Sequence, residues 1–217
     1  MKYGIIAHIN SDIIALKAAL HKMESAKVEL VVCAGNVVEK PNTANDCVDV
    51  LREWGFPTVL GNHDAVACGS DEPWGFKSKS LTNILMTREG LSDKNRIWMQ
   101  GLPCGLLFTG FAVVHGNAGA SRVYRNKWEY LMEHWPYPDR ERGKACFIAH
   151  PDKPGVYSPS GELPLDEDGK LLLDTNTNVF IAPGRVGRSG NKDPWSTFGI
   201  FDTEERSYQQ VYLNLAV

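Results

Sequence analysis

Val59-Leu60-Gly61-Asn62-His63-Asp64-Ala65 is the stretch on which the reading of this chain turns. Thr58, Val59 and Leu60 read as the end of a buried strand, and Gly61 then allows a sharp turn. Three polar side chains follow at the strand tip: an amide, an imidazole and a carboxylate. Ligands bind at strand ends in α/β sheets, so this is where chemistry is expected. Taken alone, the stretch is equally compatible with an ordinary polar turn after a strand. The placing of the other histidines decides between the two.

Working outward, residues 3–7 read as a first buried strand and 12–25 as a helix, with Ile13, Leu16, Leu20 and Met23 at helical spacing. Val28–Cys33 reads as a second strand ending at Ala34-Gly35-Asn36, Thr43–Trp54 as a helix, and Pro57–Leu60 as the third strand. This β-α-β-α-β opening predicts a parallel sheet with polar tips along one edge. Downstream, turn signals at 69–73 precede a helical stretch within 79–99. Gly105–Phe108 and Phe111–Val114 read as a hairpin joined by Thr109-Gly110, and the second strand ends at His115-Gly116. Residues 126–135 read as a helix, and Ala145–Ala149 as a strand ending at His150-Pro151-Asp152. Strand-like runs at 155–158, 171–174, 178–182, 196–202 and 207–213 predict a second, largely antiparallel layer, with 160–170 as an exposed hairpin loop. No repeat or linker breaks the chain, so residues 1–217 read as a single domain.

Composition narrows the function. A net charge of -3 over 217 residues gives no support for a nucleic-acid surface or an anionic membrane as partner. No apolar run approaches the ~20 residues that cross a bilayer. The first residues enter a strand pattern without a signal-peptide layout. Five cysteines without a CxxC pair fit reduced, packing thiols, so a cytoplasmic location is expected.

Five strand ends carry His8 and Asn10, Asn36, Asn62 and His63, His115, and His150 and Asp152. Four of the six histidines fall at these tips, whereas His21 and His134 read as surface helix residues. Histidines brought together from separate strand ends are what a metal site on a sheet edge requires.

On these residues the sequence resembles the calcineurin-like metallophosphoesterase superfamily, particularly its small prokaryotic phosphodiesterase-type members. The resemblance rests on five blocks in order: Asp-x-His, Gly-Asp, Gly-Asn-His-Asp/Glu, His-Gly and Gly-His-x-His. Gly61-Asn62-His63-Asp64 matches the third in full and His115-Gly116 the fourth. The likeness extends to Pro183-Gly184-Arg185-Val186-Gly187 and Asp193-Pro194. It implies an α/β fold, a four-layer α/β/β/α sandwich of the metallophosphoesterase type, with a two-metal centre at the strand ends.

The departures bear on the metal count. The first block reads His8-Ile9-Asn10, the second Gly35-Asn36, and the fifth Ala149-His150-Pro151-Asp152. By resemblance, one metal would see Asn36, Asn62, His115 and His150, and the other His8, Asn10, Asn36 and Asp152. Asn36 replaces the bridging aspartate with a neutral amide. Two like-charged ions ~3.5–4 Å apart need an anionic bridge, so one tightly held divalent ion (Zn, Mn, Fe or Ni) is expected unless Asp12 or Asp64 turns inward. The resemblance gives His63 the role of stabilising or protonating the leaving group, with Asp64 orienting its ring. Arg185 and Arg188 are candidates to meet a substrate phosphate, with solvated loop arginines as the alternative. Metal-dependent hydrolysis of a phosphate mono- or diester is therefore expected, on a small phosphorylated substrate. The alternative is a catalytically degenerate fold kept as a ligand- or protein-binding module. The oligomeric state is not legible.

Overall fold

A computed structural model of the chain describes residues 1–116, 144–149, 153–188 and 194–216. The first strand, β1 (Lys2–Ile6), leads into α1 (Ile13–Ser25), and β2 (Leu30–Cys33) into α2 (Ala44–Glu53). Helix α1 starts where Asp12 accepts a hydrogen bond from the Ala15 N–H at 3.1 Å. It buries Ala15, Leu16, Ala19 and Met23, one stripe at helical spacing.

Three helices follow: α3 (Asn62–Cys68), α4 (Ser78–Gly90) and α5 (Asp93–Gln100). The motif stretch thus opens a helix rather than an irregular turn. Gly61 is its N-cap, and Asp64 in the first turn reaches back to accept from the Gly61 N–H at 3.1 Å. The preceding run 57–60 is not a full strand. A single parallel bridge, Cys33 to Thr58, joins it to β2.

Next come β3 (Gly105–Phe108), β4 (Phe111–Val114) and β5 (Ala145–Ile148), then β6 (Gly155–Ser158), β7 (Gly161–Leu163) and β8 (Lys170–Leu172). The chain closes with β9 (Val179–Ala182), β10 (Trp195–Asp202) and β11 (Ser207–Asn214). Two sheets result, ordered β2-β1-β10-β11-β8 and β3-β4-β5-β9-β6-β7. The expected parallel opening holds for β1 with β2, but β10 runs antiparallel on the other side of β1. The tail does not form a layer of its own. Strands β8, β10 and β11 complete the first sheet, whereas β6, β7 and β9 extend the second. The expected helix at 126–135 lies outside the described residues.

Burial alternates along the strands and so assigns the layers. Ile6, Val31, Cys33, Phe198 and Ile200 join Leu16, Leu51, Val66 and Ile84 in the core between the first sheet and the helices. Ile5, Val32, Phe201 and Tyr208 face Phe111, Val113, Phe147 and Ile181 across the two sheets. The outward residues of the second sheet, Ala112, Cys146, Ile148 and Phe180, are also buried. The central strands of both sheets are buried on both faces, as a four-layer α/β/β/α sandwich requires. Among the described residues, no helix is long and apolar enough to cross a membrane.

Candidate functional site

The loops after β1 and β2 lie side by side at the sheet edge. The N–H groups of His8, Asn10 and Ser11 donate to the carbonyls of Gly35, Asn36 and Val37 at 3.0, 3.0 and 2.9 Å. His8, Asn10, Ser11 and Asn36 all have φ between 50° and 62°. Side chains disfavour this left-handed region, least so for Asn, and such strain clusters at ligand sites. Segment 185–188 closes over the same edge. The Val186 and Gly187 N–H groups donate to the carbonyls of Ala7 and His8 at 2.9 and 2.8 Å.

Asn36 lies at the centre of this edge and is 1% exposed. Its Oδ1 accepts from the His63 N–H at 3.0 Å, and its Nδ2 donates to His8 Nδ1 at 3.2 Å. The His8 Nε2–H donates to the Ala149 carbonyl at 2.9 Å, which fixes the tautomer. Three sheet-edge loops and the start of α3 are thereby tied together. Gly61 is required by this arrangement, because a methyl at that position would overlap the backbone N and Oδ1 of Asn36.

A second pair adjoins it. The His115 Nδ1–H donates to the Ala34 carbonyl at 2.6 Å, and a carbonyl can only accept. In the neutral ring Nε2 therefore presents a lone pair, and it lies 3.0 Å from Asn62 Oδ1, another acceptor. Two acceptors at this distance repel unless a proton or a cation joins them or the Asn62 amide turns to present its Nδ2–H. The His115 ring is 5.5 Å from that of His8.

Asp64 does something other than orient the His63 ring. Its Oδ1 accepts from the Val38 N–H at 3.0 Å and its Oδ2 from the Gly61 N–H at 3.1 Å, with no exposed surface. It holds the loop after β2 onto the first turn of α3. Burial pushes its pKa up to about 6, against the opposing pull of these N–H groups. Nor is Asp12 turned inward. It caps α1 and accepts a forked pair from Arg188, Nε to Oδ2 at 2.7 Å and Nη2 to Oδ1 at 3.1 Å. Desolvation would raise its pKa, but Arg188 and the backbone N–H groups outweigh it, so the carboxyl sits below the usual range. Arg188 is thus committed to a partner that the sequence reading had not given it.

A cleft of about 460 Å³ opens on this edge. His8, Asn10, Asn36 and His63 line it together with Arg185 and Arg188. His63 stands beside Phe76, with ring centroids 5.3 Å apart. Asn10 Oδ1 is buried and has no hydrogen-bond partner among the described residues. Of the residues expected to form the site, the structure therefore brings together His8, Asn10, Asn36, Asn62, His63 and His115, with Arg185 and Arg188 at the rim. His150 and Asp152 lie outside the described residues. Among the described residues, no three His, Cys, Asp or Glu side chains gather as a metal-binding group.

The sequence reading missed another part of the cleft wall, made by Lys40 after β2 and by Lys77, Lys79, Ser80 and Asn83 on and before α4. One signal was available. Lysines at a helix start, where acidic residues are favoured, are electrostatically out of place.

No protein-family model matches the chain. The uncharacterized protein MJ0912 of Methanocaldococcus jannaschii is 28% identical over 204 residues, 93% of this chain and 83% of that protein. Among solved structures, a metallophosphoesterase from Sphaerobacter thermophilus superposes with a TM-score of 0.77 at 20% identity, covering 100% of this chain and 89% of that one. The hypothetical protein PH1004 from Pyrococcus horikoshii OT3 superposes with a TM-score of 0.69 at 18% identity, covering 99% and 88%. At such identities the likeness is one of fold, and the fold of this chain is that of the metallophosphoesterases.

Proposed function

We propose that the protein hydrolyses a phosphate mono- or diester with the help of one divalent transition ion, Zn, Mn, Fe or Ni. The Asn62–His115 pair carries this reading. Adjacent ligands of an ion at ~2.1 Å lie roughly 3.0–3.4 Å apart, and metal-bound histidines usually donate their other N–H to a carbonyl. Asn62 and His115 have that spacing and that support, so they fit a metal. His150 joins them by resemblance only. The other half-site fits poorly. Both ends of the Asn36 amide and both ring nitrogens of His8 are already in hydrogen bonds, and among the described residues no carboxylate there offsets a second ion's charge.

When bound, the ion would supply a polarised phosphoryl oxygen and a water of lowered pKa. The chain supplies the rest. His63 faces the cleft and gives a proton to the leaving oxygen, and the Asn36–His63 N–H bond fixes the start of its helix. Arg185 at the rim offers charge to the phosphate. One observation favours the alternative of a binding module: the residue in place of the bridging carboxylate is a neutral amide wholly used in holding loops together.

Metal content by plasma mass spectrometry, with turnover of bis(4-nitrophenyl) phosphate and 4-nitrophenyl phosphate, separates the two. The expected result is about one equivalent of metal in wild type, lost in His115→Ala. His63→Ala keeps the metal and loses roughly 100-fold or more in kcat. Two equivalents would overturn the one-ion site. Metal-free, inactive protein after zinc or manganese is supplied would overturn the hydrolase and leave the binding module.

A further inference from the structure

We propose that the cleft beside His63 selects a substrate with a second phosphate, held by Lys40, Lys77 and Lys79 away from the bond that is cleaved. The proposal takes its meaning from the hydrolase reading, but it stands on separate residues. The chain as a whole is acidic, with a net charge of -3. Yet the cleft wall gathers five cationic side chains and one acidic one, Glu39. Arg188 is neutralised by Asp12. Glu39 accepts from the Ser80 hydroxyl at 3.1 Å, on the same wall. Lys40, Lys77 and Lys79 have no ion-pair partner among the described residues.

These lysines come from two elements distant in sequence, so the patch is a product of folding and not of a local charge run. Two of them sit at the start of α4, a 13-residue helix with no acidic residue in its first turn and no side-chain cap. Amines there repel one another and oppose the helix dipole, a cost that an anion in the cleft removes. At about 460 Å³ the cleft is in the range of small-molecule pockets and is larger than one phosphoryl group needs. Exposed lysines act as mobile point charges, so recognition here follows charge more than shape.

Binding calorimetry with two phosphonates, which contain no ester to cleave, tests this directly. Propane-1,3-diphosphonate carries two anionic groups and propylphosphonate one. The expected result is that wild type binds the diphosphonate roughly tenfold or more tightly, with an advantage that shrinks as salt rises. In the Lys77→Gln/Lys79→Gln double variant that advantage falls to about threefold or less. Both lysines are exposed, so the fold is not at risk. Lys94→Gln, on α5 and outside the cleft, leaves the advantage unchanged. Equal affinities in wild type, or an advantage that survives the double substitution, would overturn the proposal. Neither result depends on turnover, so failure here leaves the aryl-ester test of the hydrolase standing, and the reverse also holds.

Discussion

Asp64 has lost all its solvent, and the effect of pH on stability follows from that. Its folded pKa is raised to about 6 from an ordinary 3.8, with burial as the leading cause. Between these two values the folded chain keeps a proton that the unfolded chain has released. The stability this group adds is therefore full below the lower value and lost as pH rises to the upper one. The shift corresponds to about 3 kcal/mol. Asp64→Asn does not titrate, and its amide places a donor against the backbone N–H groups, at a cost of about 1–3 kcal/mol. The wild-type advantage over Asp64→Asn, measured by denaturant unfolding, is expected to be larger at pH 4 than at pH 7 by about 2 kcal/mol, most of that total. A difference independent of pH would show that folding leaves the carboxyl's pKa unshifted. At this scale, Gly61-Asn62-His63-Asp64 was legible as a unit, but the work done by Asp64 was not. Its partners include Val38, which no reading of neighbouring residues supplies.

Helix α1 shows the same division at the level of elements. Of the stripe read from spacing, Leu16 and Met23 are buried and Ile13 and Leu20 half-buried, and Asp12 is a good N-cap by type. That Asp12 also holds Arg188, from the far end of the chain, depends on segment 185–188 crossing the tip of β1. Asp12→Ala is expected to cost about 1–2 kcal/mol for the cap and more for the fork, lowering Tm by roughly 2–4 °C per kcal/mol. A double-mutant cycle with Arg188→Ala should show a coupling of about 1 kcal/mol or more, because both substitutions break one contact. Strict additivity in thermal melts would reduce the pair to a surface contact. Short strands were found to within a residue or two, as at 105–108 and 111–114, because alternation and a Gly turn are local signals. Helix α3 was missed because its seven residues span less than two full turns of periodicity.

The two sheets share one aromatic core. Phe147 on β5 packs with Phe111 on β4 at 5.7 Å and reaches Phe201 and Tyr208 of the other sheet at 5.4 and 6.0 Å. Phe147→Ala should cost about 3–5 kcal/mol and lower Tm by roughly 6–20 °C. Near- and far-ultraviolet circular dichroism are expected to report one shared transition, and two separate transitions would show that the sheets unfold independently. The sequence by itself determined the strand and helix periods, the order of the five polar tips and the resemblance that follows from it, because these depend on residues close along the chain. The structure alone decided which sheet each tail strand joined, since any alternating apolar strand fits either sheet. It also decided that Asn36 ties loops together, that His8 is held by a carbonyl 141 residues away, and that three lysines share a cleft. Those facts depend on which distant groups folding brings within hydrogen-bond reach, and no local pattern encodes that.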